Sequence, residues 1–164
     1  MTTDFEVRGA ELKDVQGLAR VHVDTWQETY RGLISDAVLD DPSLLGWRKK
    51  FWEAALTDPK YSQNTVAVAS HGGTLVGIAM SGPADEDATA PRQLFLLYVY
   101  TAFHGSGIGA DLLNAVIDPT APASLWVADP NPRAQAFYRK YGFLNDGTVR
   151  IEDGVRSIRM LRTS

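Results

Sequence analysis

The sequence predicts an α/β chain of the α+β kind, a mixed and mostly antiparallel central sheet of about seven strands flanked by about four helices. Three observations carry this expectation. From Leu94 to Val116, an apolar run rich in aromatic and β-branched residues leads into a glycine turn and then an amphipathic helix, which makes one βα unit. His71-Gly72-Gly73 and Glu152-Asp153-Gly154 each separate two strand-like stretches, the pattern of antiparallel hairpins. Between Glu11 and Tyr30, the residues Leu12, Val15, Leu18, Ala19, His22, Trp26 and Tyr30 share one helical stripe.

Phe5 and Val7 alternate with polar neighbours and predict a short first strand. The Glu11–Tyr30 helix is broken by Arg31-Gly32-Leu33-Ile34, where Gly32 suits a C-terminal cap. Ser35 and Ser43 are each placed to cap a short helical piece, and Trp47 and Trp52 on the second piece are expected to pack. Thr65–Ser70 and Thr74–Ser81 are strands, and Gly82–Pro91 is a polar loop carrying Asp85, Glu86 and Asp87. After the Leu94–Tyr100 strand, Ile108, Leu112, Leu113, Val116 and Ile117 mark one face of a helix. Ser124–Ala128 is another strand. Asn131 followed by Pro132 is a helix start, cap then first helical position, for a helix running to about Tyr141. Leu144–Ile151 and Val155–Leu161 form the last hairpin. No repeat or linker interrupts the 164 residues, which read as a single domain, 1–164.

Composition narrows the function classes. The chain is 45% hydrophobic and 22% charged, ordinary for a soluble globular protein. A net charge of −4 argues against a general nucleic-acid surface. The absence of cysteine excludes disulfides, thiolate nucleophiles and thiolate metal sites, and no metal is expected. The N-terminal stretch lacks the basic start and apolar run of a signal peptide, and the apolar runs are too short to span a membrane. The expectation is a cytoplasmic protein with no membrane partner. The edge strands and terminal hairpin leave room for a homodimer.

Gly105-Ser106-Gly107-Ile108-Gly109 sits between strand and helix. Its glycines let the backbone approach a bulky ligand and aim N–H groups one way, while the following helix points its positive dipole end at the same spot. This is an anion cradle suited to a pyrophosphate. One reading is a dinucleotide site, since Gly105-x-Gly107-x-x-Ala110 matches that fingerprint and Asp129 stands about 20 residues on, where a ribose ligand would be. Against it, Thr101-Ala102-Phe103-His104 separate strand from glycines, and the chain ends in a hairpin rather than in further βα units.

The segment Leu125-Trp126-Val127 through Asn131-x-x-Ala134-x-x-Phe137-Tyr138-x-x-x-Gly142-Phe143 resembles the second signature of the GNAT superfamily of acyl-CoA-dependent N-acyltransferases. His104-Gly105-Ser106-Gly107-Ile108-Gly109 is similar to its first signature, and the order of elements is similar to the GNAT fold from end to end. The resemblance implies that backbone amides from Gly105 through Ser106, Gly107, Ile108 and Gly109 to Ala110 hold the pyrophosphate of the acyl-CoA. It implies that the strand bearing Leu97, Tyr98 and Val99 splays from the Ser124–Ala128 strand, so that the pantetheine arm pairs with exposed backbone. An N–H near Leu97 to Val99 would then polarise the thioester carbonyl. Asn131 resembles the side chain that meets the pantetheine arm, although it serves equally as a helix cap. Tyr138 resembles the tyrosine that protonates the departing CoA thiolate.

The chain departs from the family pattern in three places. His104 replaces the usual Arg or Gln but can still donate to phosphate. Thr101 stands where Pro is common. Gln93 stands where many relatives carry a glutamate that deprotonates the amine through water, so the general base is unassigned; Asp85, Glu86, Asp87 and His22 are the other candidates. In the GNAT fold the acceptor enters against the first two helices, which brings in Trp26, Tyr30 and Arg31. Trp26 reads more readily as core than as pocket, and Tyr30 and Arg31 at a helix end suit a pocket better. The acidic chain weakly favours a cationic amine.

The expected function is an N-acetyltransferase moving the acetyl group of acetyl-CoA to a primary amine, on a small molecule or a peptide, by direct attack in a ternary complex. The alternative is a non-catalytic acyl-CoA-binding module.

Overall fold

The computed structural model describes residues 5–84, 90–152 and 154–163. Asp85, Glu86 and Asp87, three of the base candidates, lie outside the described residues. The chain runs β1 (Phe5–Gly9), α1 (Val15–Tyr30), α2 (Asp36–Leu39), α3 (Leu44–Thr57), β2 (Thr65–His71), β3 (Thr74–Pro83), β4 (Arg92–Val99), α4 (Ile108–Val116), β5 (Ala123–Ala128), α5 (Pro132–Lys140), β6 (Leu144–Glu152) and β7 (Val155–Arg162). The strands form one seven-stranded sheet in the order β1-β2-β3-β4-β5-β7-β6. Every pairing is antiparallel except β4 with β5, which α4 connects as the single parallel crossover. A dinucleotide fold needs several parallel βα units, so this topology overturns that alternative. Asp129, its ribose ligand, instead accepts a hydrogen bond from Arg156 Nε at 3.0 Å.

The described helices number five α-helices, because α2 is a separate single turn. The first helix starts later than its apolar stripe suggests, after a 3-10 turn at Leu12–Asp14. Asp14 causes this: its carboxylate accepts from the Glu11 amide at 2.7 Å and from both Arg8 guanidinium nitrogens at 2.8 Å, pinning the turn to β1. Ser35 and Ser43 do occupy N-cap positions, but neither side chain makes a capping bond. Trp52 is fully buried as expected, whereas Trp47 is 56% exposed.

The sheet is covered on both faces. On one face α4 and α5 bury Ile108, Leu112, Leu113, Val116 and Tyr138 against Leu125, Val127, Ile158 and Met160. On the other, α1 and α3 bury Leu18, Ala19, Val21 and Trp52 against Val68, Ile78 and Met80. That second cluster draws on β2 and β3 and no residue of β5, β6 or β7, so the same face of the far half of the sheet stays open. No described helix is long and apolar enough to cross a membrane.

The feature that makes a site is the parting of β4 from β5. They pair only through Gln93–Ser124 and Leu94–Leu125, although both strands continue beyond. The register of β3 against β4 steps from Met80–Leu96 to Ser81–Leu94, which leaves Phe95 as an extra residue on β4. A bulge bends its strand and raises the local twist, which turns β4 away from β5 immediately after their last pair.

Candidate active site

The parting opens a cleft of about 790 Å³ lined from β4 by Gln93 through Val99, from the glycine turn by His104, Gly105, Gly107, Gly109 and Ala110, and from α5 by Asn131, Phe137 and Tyr138. Thr25, Glu28, Thr29 and Tyr30 close it from α1, and Trp126, Arg150 and Ser157 from the far strands.

On β4, Tyr100 donates its amide to Val76 of β3 at 3.1 Å. N–H groups alternate sides along a strand, so Leu97 and Val99 turn theirs the other way, toward β5, which no longer pairs with them. The Val99 carbonyl on that side is held by His104 Nε2 at 2.9 Å, and a carbonyl partner requires the proton on that nitrogen. His104 thus braces the end of β4 and keeps Nδ1 for other uses. The unpaired edge therefore retains the Leu97 and Val99 N–H groups.

Gly105 and Gly107 adopt φ of 82° and 94°, a left-handed conformation that side-chain-bearing residues rarely take. Alternating with Ser106 they curl the backbone into a concavity, and Gly107 caps α4, whose first-turn amides at Gly109 and Ala110 have no partner within the helix. A Cβ added at either Gly105 or Gly107 would meet nothing within 4 Å, so there is open space over the cradle. Ser106 and Ile108 are not among the residues that line the cleft: the Ser106 hydroxyl donates to Phe103 O at 2.6 Å, and the Ile108 side chain is fully buried.

Asn131 caps α5 by accepting the Ala134 amide at 3.2 Å through Oδ1 while lining the cleft, which leaves its amide nitrogen available. Tyr138, one face of α5 further on, is 8% exposed and packs edge-on to Phe137 and Phe143. Burial, reinforced by the Tyr30 phenol, holds its pKa above the ordinary tyrosine range, so it keeps its proton at neutral pH. Tyr98 is raised likewise by burial, with the Tyr30 and Tyr138 phenols adding to the shift, and all three tyrosines line the cleft.

Of the acceptor residues expected from sequence, Tyr30 lines the cleft, and Trp26 and Arg31 do not. Trp26 is turned toward α3, under the Arg48 guanidinium at 5.6 Å. Arg31 is tied to Asp40 at 2.9 and 3.1 Å and to Asp36 at 3.0 Å, which fastens the loop after α1. His22 is packed between Phe51, Trp52 and Tyr98, and burial lowers its pKa to about 3. Its Nδ1 accepts the Trp52 indole N–H at 3.1 Å, so it is occupied structurally. Among the described cleft residues the one carboxylate is Glu28, which accepts from the Thr101 hydroxyl at 2.7 Å. Sequence reading missed Glu28, Arg150 and Ser157. The available signal was alternation: with Leu125 and Val127 in the core, Trp126 must face the opposite side, with its neighbours on β6 and β7.

Residues 43–164 match the family model described as an acetyltransferase (GNAT) domain. A relative named "Probable N-acetyltransferase", from Mycobacterium tuberculosis, is 30% identical over 152 residues, covering 88% of this chain and 83% of the relative. Among solved structures, the PaiA N-acetyltransferase of Thermoplasma acidophilum, crystallised with coenzyme A, superposes with a TM-score of 0.76 at 19% identity over 98% of this chain and 99% of its own. The ribosomal-protein-alanine N-acetyltransferase of Brucella melitensis gives 0.69 at 22% identity, over 97% and 99%. With family signature, fold and cleft in agreement, this chain belongs to the GNAT acetyltransferases and is an enzyme of acyl transfer.

Proposed function

We propose that the protein transfers the acetyl group of acetyl-CoA to a primary amine by direct attack within a ternary complex. The observation that carries this is the convergence, on one cleft, of the unpaired Leu97 and Val99 amides, the glycine cradle and the protonated Tyr138 phenol. Backbone amides from Gly105 to Ala110 hold the pyrophosphate, with the α4 dipole adding to their pull. Arg133 and Lys140, which also line the cleft, add cations for the remaining phosphate. The pantetheine arm lies along the free edge of β4 as an added strand, with the Asn131 amide donating to it. The Leu97 or Val99 N–H stabilises the negative charge that develops on the thioester oxygen. Glu28 attracts the acceptor's ammonium and takes its proton through water, and Tyr138 gives its proton to the CoA sulfur as the C–S bond breaks. With no cysteine in the chain, no thiol is available to carry the acetyl group between two half-reactions.

Calorimetric titration with acetyl-CoA, with NADH for comparison, tests the cofactor. Micromolar binding of acetyl-CoA alone is expected. Binding of NADH alone, or of neither, overturns the reading.

A further inference from the structure

The acceptor side of the cleft has a charge pattern that the acidic composition conceals. Leu125 and Val127 face the core beneath α4 and α5, so Trp126 between them faces the other side, the side of α1. Two arginines lie over its ring, Arg150 at 4.3 Å and Arg159 at 5.9 Å. They are not equivalent. Arg159 is neutralised by Asp146, with both side chains largely covered. Among the described residues the one carboxylate paired with Arg150 is Glu152, two residues along the same strand, at 3.3 Å and itself 65% exposed. An ion pair that open to water contributes little. Arg150 makes no hydrogen bond to another described residue, and it lines the cleft with Tyr30 and Trp126.

The remaining cleft cations, Arg133 and Lys140, come from α5, where the phosphates of the CoA would compensate them. Arg150 stands on the opposite side of the sheet, out of their company. Behind the acceptor wall, Arg48 adds a second cation over Trp26, with its Nε enclosed and without a hydrogen-bond partner among the described residues.

Resting on the acetyl-transfer reading, we propose that the acceptor amine carries an oxyanion, a carboxylate or a phosphate, bound by the Arg150 guanidinium where it is stacked on Trp126 beside Tyr30. The Trp126 ring 4.3 Å away restrains the planar guanidinium, whose terminal nitrogens make no hydrogen bond to another described residue and can meet an oxyanion in a bidentate contact. Tyr30, which lines the cleft with Trp126 and Arg150, completes the subsite. The amine end then points toward Tyr138, and the anionic end remains at the strands β5 and β6.

The test pairs each L-amino acid with its decarboxylated amine, and phosphoethanolamine with ethanolamine, following CoA thiol release for wild type, Arg150→Gln and Arg150→Lys. Acetyl-CoA affinity is measured on all three by calorimetry. The anionic member of at least one pair should show the higher kcat/KM. Arg150→Gln should raise its KM about tenfold or more with kcat, the neutral partner's kinetics and acetyl-CoA affinity unchanged, and Arg150→Lys should recover part of the loss. Amino acids ahead of phosphoethanolamine would name a carboxylate, and the reverse a phosphate. If acetyl-CoA binds but no anionic amine outperforms its partner, or the preference survives Arg150→Gln, the oxyanion subsite is wrong. Loss of acetyl-CoA binding by wild type would instead overturn the acetyl-transfer reading beneath it.

Discussion

The Trp52 indole donates to His22 Nδ1 at 3.1 Å in the core between α1 and α3, where both residues are buried. The bond fixes His22 as the neutral tautomer with its proton on Nε2, and burial lowers its pKa to about 3. The unfolded chain takes up a second ring proton near pH 6.5, so the folded state loses stability as pH falls from there toward 3. His22→Leu should flatten this part of the stability curve. At neutral pH it should also cost about 2 kcal/mol by leaving the Trp52 N–H unsatisfied. Urea denaturation at a series of pH values checks both, and an unchanged acid slope would count against the assignment.

Tyr138→Phe removes the phenol and keeps the ring packed on Phe137 and Phe143. A drop in kcat of about 100-fold or more, with acetyl-CoA affinity unchanged, is expected if the phenol protonates the thiolate. An unaffected rate would remove Tyr138 from the chemistry.

The cradle can be tested through conformation alone. Gly107 and Gly72 both have positive φ and open space around a Cβ, but only Gly107 lies at the cleft. A side chain in that conformation costs about 1–2 kcal/mol. Gly107→Val should therefore weaken acetyl-CoA binding at least about tenfold. Gly72→Val, with comparable strain in the β2–β3 hairpin, should lower the melting temperature and leave affinity as it was.

Asn131 can be separated into its two roles. Asn131→Asp retains an oxygen to cap the Ala134 amide but loses the amide donor, so acetyl-CoA affinity should fall while thermal stability holds. Asn131→Ala should lose both, with about 1 kcal/mol of stability attached to the cap.

Much of this was legible in local patterns. The Asn131-Pro132 start of α5 and the glycine turn ahead of α4 depend on the conformational limits of single residues, which act the same way in any context. The hairpin glycines did the same for the antiparallel pairs. Residues brought together from distant elements were not legible. Arg31, read as a pocket residue, is drawn away by Asp36 and Asp40, and Arg150 enters the cleft only because β7 carries β6 to the edge of the sheet beyond β5.

The sequence by itself determined the elements, their order and the two family signatures, because helix stripes, strand alternation and turn glycines are written within a few residues of one another. Only the tertiary structure decided that Phe95 would be the bulge that parts β4 from β5, and which charges would face the opening. Strand register, and the covering of the Arg159 ion pair but not the Arg150 one, are settled by contacts across the sheet. Those contacts depend on packing between segments far apart in the chain.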